Sequence, residues 1–212
     1  MSKYKRKLYN STKMNDFREL VNRYSTMYHD KVAFEYKETP YSKEHIKITY
    51  KQFSDDIKSL GTALINLGLS NKRIAIIAPN RYEWCTSYLA ITTSDMTVVP
   101  LDKSLPDNEI EDLIIRSKAE AVIFDKKYEN IFSKISNTSK SKLSYYICMD
   151  DSNTFFTYAS LIQKGNSLLL NGNNDYDNVK IDNKKMSIML FTSGTTSISK
   201  AVALSQSNIC ED

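Results

Sequence analysis

The chain has 212 residues, 41% hydrophobic and 25% charged, enough apolar material to bury a real core and unlike a disordered composition. Its formal net charge of +4 does not call for a nucleic-acid partner, and no run approaches the ~18 apolar residues of a membrane span. Three widely spaced cysteines, Cys85, Cys148 and Cys210, and two histidines, His29 and His45, form neither a disulfide framework nor a metal-ligand pattern. A reduced, cytoplasmic protein without a zinc site is expected.

The first 13 residues read as a basic tail. Lys3, Lys5, Arg6 and Lys7 have no apolar run behind them, so the segment is neither a signal peptide nor an anchor. From residue 14 onward the chain alternates strands and helices. Asn15 or Asp16 can cap a helix with Phe17, Leu20, Val21, Tyr24 and Tyr28 at helical spacing. Val32 to Tyr36 and Ile46 to Tyr50 read as strands separated by polar turn residues and Pro40. Thr49 followed by Gln52 matches a capping box; the helix it opens buries Phe53, Ile57, Leu60, Leu64 and Leu67, and Gly68 suits its end.

Arg73 to Ala78 is a short, nearly continuous apolar run, as in a strand covered on both faces, and Pro79-Asn80 stops it. A helix with Trp84, Tyr88 and Ile91 follows, then a strand from Thr97 to Leu101. Leu105-Pro106-Asp107 starts the next helix, with Ile110, Leu113 and Ile114 inward, and Glu120 to Phe124 is a third buried strand. This succession predicts an α/β fold, a mainly parallel sheet with helices on both faces. A weaker helix over Tyr128 to Ile135, a strand over Tyr145 to Met149 and a short helix over Thr157 to Gln163 continue it. Lys164 to Lys185 is polar and Asn-rich, and reads as a long surface connection.

The apolar run Met186 to Phe191 then empties into Thr192-Ser193-Gly194-Thr195-Thr196-Ser197-Ile198-Ser199-Lys200, and Ala201 to Leu204 leads out as a strand. A polar hairpin turn would have this composition. So would a cradle for phosphate: backbone N–H groups form an anion-binding concavity, hydroxyls add donors that rotate to fit, and lysine adds a compact positive charge. It is not the loop written G-x-x-x-x-G-K-[ST]. Its place after a strand favours the phosphate reading, because open α/β sheets bind ligands beyond the carboxyl ends of their strands.

Thr192-Ser193-Gly194-Thr195-Thr196 followed by Lys200 resembles the phosphate loop of the adenylate-forming, or AMP-binding, enzymes: acyl-CoA synthetases, luciferases and the adenylation domains of peptide synthetases. Ile48-Thr49-Tyr50 with Phe53, Leu67-Gly68, Arg73-Ile74-Ala75-Ile76, Pro79-Asn80, Glu83-Trp84 and Val98-Val99-Pro100-Leu101-Asp102 follow in the family's order, as does Ser205 through Ile209. The resemblance implies that residues 14–212 are the first part of the family's large N-terminal domain. It implies a ligase that activates a carboxylate with ATP and passes the acyl group to a thiol. Glu83-Trp84 and Pro100-Leu101 lean toward a fatty acid as the small-molecule carboxylate and CoA, or a carrier protein, as acceptor.

By the same resemblance Thr192, Ser193, Thr195 and Thr196 hold the ATP phosphates, Gly194 permits close backbone approach, Lys200 screens charge and Mg²⁺ accompanies the ATP. No catalytic residue is identified, since the family's later motifs lie beyond Asp212, and the chain is expected to be an inactive fragment by itself. Ser197, Ser199 and Ala201 stand where the family commonly has glycine, proline and glycine. Two alternatives share the loop: a non-catalytic nucleotide- or protein-binding module, and an amino-acid adenylation domain of a peptide synthetase.

Overall fold

The computed structural model describes residues 13–37, 39, 41–192 and 199–211. Among these residues seven strands form one sheet: β3 (Arg73–Ile77), β4 (Thr97–Pro100), β5 (Ala121–Phe124), β6 (Tyr145–Cys148), β7 (Phe156–Thr157), β8 (Met186–Thr192) and β9 (Lys200–Ser205). Their spatial order is β7-β6-β5-β3-β4-β8-β9, and every neighbouring pair is parallel except β8 with β9. Two earlier strands, β1 (Val32–Tyr36) and β2 (Ile46–Thr49), make a separate antiparallel pair. Its Phe34 ring meets Phe53 at 4.8 Å and Tyr82 at 5.2 Å.

The central strands β3, β4 and β5 are buried on both faces, which is why they are almost continuously apolar in sequence. Alternate side chains enter two separate cores. Ile74, Ile76, Val98, Ile123, Ile147 and Ile188 pack beneath α1 (Phe17–Met27), α2 (Tyr50–Asn66), α3 (Tyr82–Thr92) and α6 (Tyr158–Leu170). Ala75, Ile77, Val99, Val122, Phe124 and Met189 pack against α4 (Asp107–Ser117) and α5 (Glu129–Ser136). This is the expected α/β sheet with helices on both faces.

Local chemistry sets the helix ends. The Asp16 carboxylate accepts from the Glu19 amide at the start of α1. Thr49 and Gln52 exchange both hydrogen bonds of a capping box at α2. Gly68 follows that helix with φ +77°, a left-handed conformation that glycine adopts without steric cost.

The polar stretch 164–185 differs from its sequence reading. Helix α6 runs on to Leu170, α7 (Asp175–Asn178) follows, and the two-residue β7 precedes α6. Nor is this stretch confined to the surface. Tyr176 is only 4% exposed, its hydroxyl donates to Thr93 Oγ1 at 2.9 Å, and the Arg18 guanidinium covers its ring at 4.6 Å. Arg18 also donates to the backbone carbonyls of Thr93 and Val179. The composition is polar because each turn of this segment exposes most of its residues, and of residues 164–185 only Gly165 and Tyr176 are buried. At Gly165 an added Cβ would stand 1.9 Å from the Ser59 carbonyl oxygen, so only glycine lets α6 approach α2 this closely.

Candidate functional site

Strand β8 runs parallel to β4, so Thr192 emerges at the carboxyl edge of the sheet. The chain leaves β4 through α4 toward β5, on one side, and leaves β8 toward β9, on the other. Connections that diverge in this way open a crevice at the strand ends, where open α/β sheets bind ligands.

Strand β9 returns antiparallel to β8, and among the described residues the last pair is Thr192 with Lys200. Residues directly opposite each other in a ladder project from the same face. Alternation along β8 identifies that face: Ile188 and Leu190 belong to the core beneath α2 and α3, Met189 and Phe191 to the core against α4. Thr192 and Lys200 therefore stand on the side away from α4. Both are exposed at the mouth of the hairpin. The structure thus brings together the first and last of the six expected phosphate-binding residues. Ser193, Gly194, Thr195 and Thr196 lie outside the described residues, as does Ser197.

Of the departures from the family pattern, Ala201 sits within β9 opposite Phe191. The Ser199 carbonyl accepts a hydrogen bond from Arg116 in the last turn of α4. The same guanidinium lies 5.4 Å from the centre of the Phe191 ring and pairs with Asp112 at 3.1 Å. Sequence reading missed this contact. The i,i+4 spacing of Asp112 and Arg116 signals a helix-face ion pair, but nothing local links Arg116 to a carbonyl 83 residues away.

The loop after β4 carries Asp102, whose carboxyl is held below its ordinary range by hydrogen bonds from the Ser104 amide and hydroxyl. Beside it, at the ends of β3, β5 and β6, lies an ion network. Arg81, at the N-terminus of α3, reaches Glu83 at 2.6 Å and both Asp125 and Asp150 at 3.0 Å. Burial alone would favour loss of the Arg81 proton, but Glu83 and Asp150 raise its pKa well above its ordinary value. Its charge is therefore committed to the ends of β5 and β6. Among the described residues, no group of three or more His, Cys, Asp or Glu side chains is placed to hold a metal ion, and none is assigned to Mg²⁺. No helix among them is long and apolar enough to cross a membrane.

A family model described as AMP-binding enzyme matches residues 21–212. The chain belongs to the AMP-binding enzyme family. This family of adenylate-forming ligases takes in acyl-CoA and acyl-carrier-protein ligases among the relatives of this chain. It is 27% identical over 200 residues to the chloroplastic long-chain-fatty-acid–[acyl-carrier-protein] ligase AEE15 of Arabidopsis thaliana, covering 86% of this chain and 27% of that one. It is 30% identical over 178 residues to long-chain-fatty-acid–CoA ligase 5 of Rattus norvegicus, covering 76% and 25%. The fold is that of the long-chain-fatty-acid–CoA ligase FadD1 from Archaeoglobus fulgidus, with a TM-score of 0.80 and 17% identity over 99% of this chain and 40% of that one. The chain thus spans about a quarter of the length of these curated relatives.

Proposed function

We propose that this chain carries the ATP phosphate site of an ATP-dependent ligase that activates a fatty acid and passes the acyl group to the thiol of CoA or of a carrier protein. The observation that carries the proposal is the pairing of Thr192 with Lys200 at the mouth of a hairpin on the carboxyl edge of the sheet. A hydroxyl donor and an ammonium on one face, both exposed, fit a phosphate anion. Membership of the AMP-binding family supports reading that anion as the phosphates of ATP, and the relatives' names support a fatty acid as the carboxylate.

Bound ATP supplies an α-phosphorus for the carboxylate oxygen to attack, with pyrophosphate leaving. The hairpin binds and orients. Hydroxyls and amides of Thr192, Ser193, Thr195 and Thr196 hold the phosphates, Gly194 lets the backbone come close, and Lys200 offsets their charge. Fixed donors aimed at charge that grows on the departing group lower the barrier more than mobile water does. Catalysis is assigned to the whole enzyme, and the 212 residues alone are expected to hold ATP without forming an acyl-adenylate.

ATP–pyrophosphate exchange by the full-length protein, run across a panel of carboxylic acids, tests the reading. Exchange that depends on a fatty acid is expected. Dependence on an amino acid would instead assign a peptide-synthetase type of adenylation, and ATP binding without exchange for any acid would make the chain a nucleotide-binding module.

A further inference from the structure

We infer that Arg116 is a positioning residue for the phosphate hairpin, a single guanidinium that fixes both stems of the loop to helix α4. One stem is held through the Phe191 ring, 5.4 Å below the guanidinium, and the other through the Ser199 carbonyl, which accepts from the Arg116 Nη2. Asp112, one turn earlier on the same helix, holds Nη1 at 3.1 Å and so fixes the guanidinium itself. Phe191 precedes Thr192 and Ser199 precedes Lys200, so the clamp grips the residue next to each of the paired phosphate-facing side chains.

The faces separate the two jobs. Phe191 and Arg116 lie on the α4 side of the sheet, whereas Thr192 and Lys200 project from the other side. Arg116 therefore acts on a bound phosphate through the backbone it steadies. Stems held by Arg116 keep the paired Thr192 and Lys200 in place before phosphate binds, which removes part of the entropic cost of binding. Arginine suits the task and lysine does not. The planar guanidinium stacks on a ring and donates in two directions in its own plane, while an ammonium is a compact, strongly hydrated point charge. The family's frequent proline and glycine are replaced here by Ser199 and Ala201, so this clamp stands where a rigid turn residue is absent.

The inference rests on the phosphate-loop reading, and its test keeps the two apart. In the full-length enzyme, Arg116→Ala should raise the KM for ATP about tenfold and leave the KM for the carboxylate and the thermal midpoint near wild type. Amide hydrogen exchange should quicken across residues 192–200 and nowhere else. A wild-type ATP KM, or unchanged exchange in that segment, overturns the inference. A lowered midpoint with both KM values raised also overturns it, because Arg116 would then be a structural residue only. If the alanine variant fails to fold, Arg116→Lys carries the same test, with a rise in ATP KM expected despite the conserved charge. Lys200→Ala in the same assay reports on the loop reading itself. No effect there sinks that reading, whereas an effect of Lys200→Ala without one of Arg116→Ala sinks only the role of Arg116.

Discussion

Asp56 shows how one residue couples burial to pH. Its half-buried carboxylate accepts a hydrogen bond from the Tyr82 hydroxyl at 2.7 Å. Burial raises its pKa above the ordinary 3.8, the Tyr82 hydrogen bond pulls the other way, and the Asp55 charge adds to the rise. The Tyr82 hydroxyl is pushed far up in turn, by burial first and then by Asp56. A carboxyl with a raised native pKa contributes stability that is full below 3.8 and is lost as pH rises through the native value. Asp56 should therefore contribute a loss of stability from about pH 4 upward, and Asp56→Asn should remove that component of the pH dependence. Denaturant midpoints collected across this range for both proteins check it; parallel slopes would contradict the assignment to Asp56.

Among the elements, the packing of α6 on α2 makes the sharpest demand. Alanine normally stabilises a helix interior over glycine by about 1 kcal/mol. At position 165 the added Cβ would press on the Ser59 carbonyl oxygen at 1.9 Å, and backbone cannot rotate aside. Gly165→Ala should thus destabilise the fold by about 3 kcal/mol, the upper end for overpacking. The denaturant midpoint decides the sign, and a more stable variant would show that the two helices can part at no cost. Such contacts also explain which elements were legible in the sequence. Helices α1 to α4 and strands β3 to β6 announced themselves because periodicity and caps such as Thr49 with Gln52 are local signals. The stretch 164–185 did not, because its anchors Gly165 and Tyr176 find their partners in α2 and at Thr93. At the candidate site the strands β8 and β9 on either side of the loop were legible from their apolar runs, while the contacts of Arg116 and the Arg81 network were not. Both join residues that only the fold makes neighbours.

For the molecule as a whole, a sheet whose central strands are covered on both faces serves to set one edge rigidly. Two cores hold β3 to β6 and β8 in register, and the carboxyl ends of these strands line up the loops after β4 and β8. Gln206, 1% exposed, fastens the far side of the hairpin to the same body. It accepts from the Phe17 amide at 2.8 Å and donates to the Thr92 carbonyl at 2.9 Å and to Ser187 Oγ at 3.2 Å. The hairpin is thereby anchored at its base by the body and at its stems by α4, with Thr192 and Lys200 left exposed at the mouth. That arrangement suits a site whose donors must stand still while charge moves. Carboxylate-dependent ATP–pyrophosphate exchange by the full-length protein, compared with its Lys200→Ala variant, tests the account most directly. A lost charge-assisted contact is worth roughly 1.5–3 kcal/mol, so exchange should fall at least about tenfold, with no change in thermal midpoint because Lys200 is exposed. Exchange at the wild-type rate with wild-type ATP affinity would contradict it.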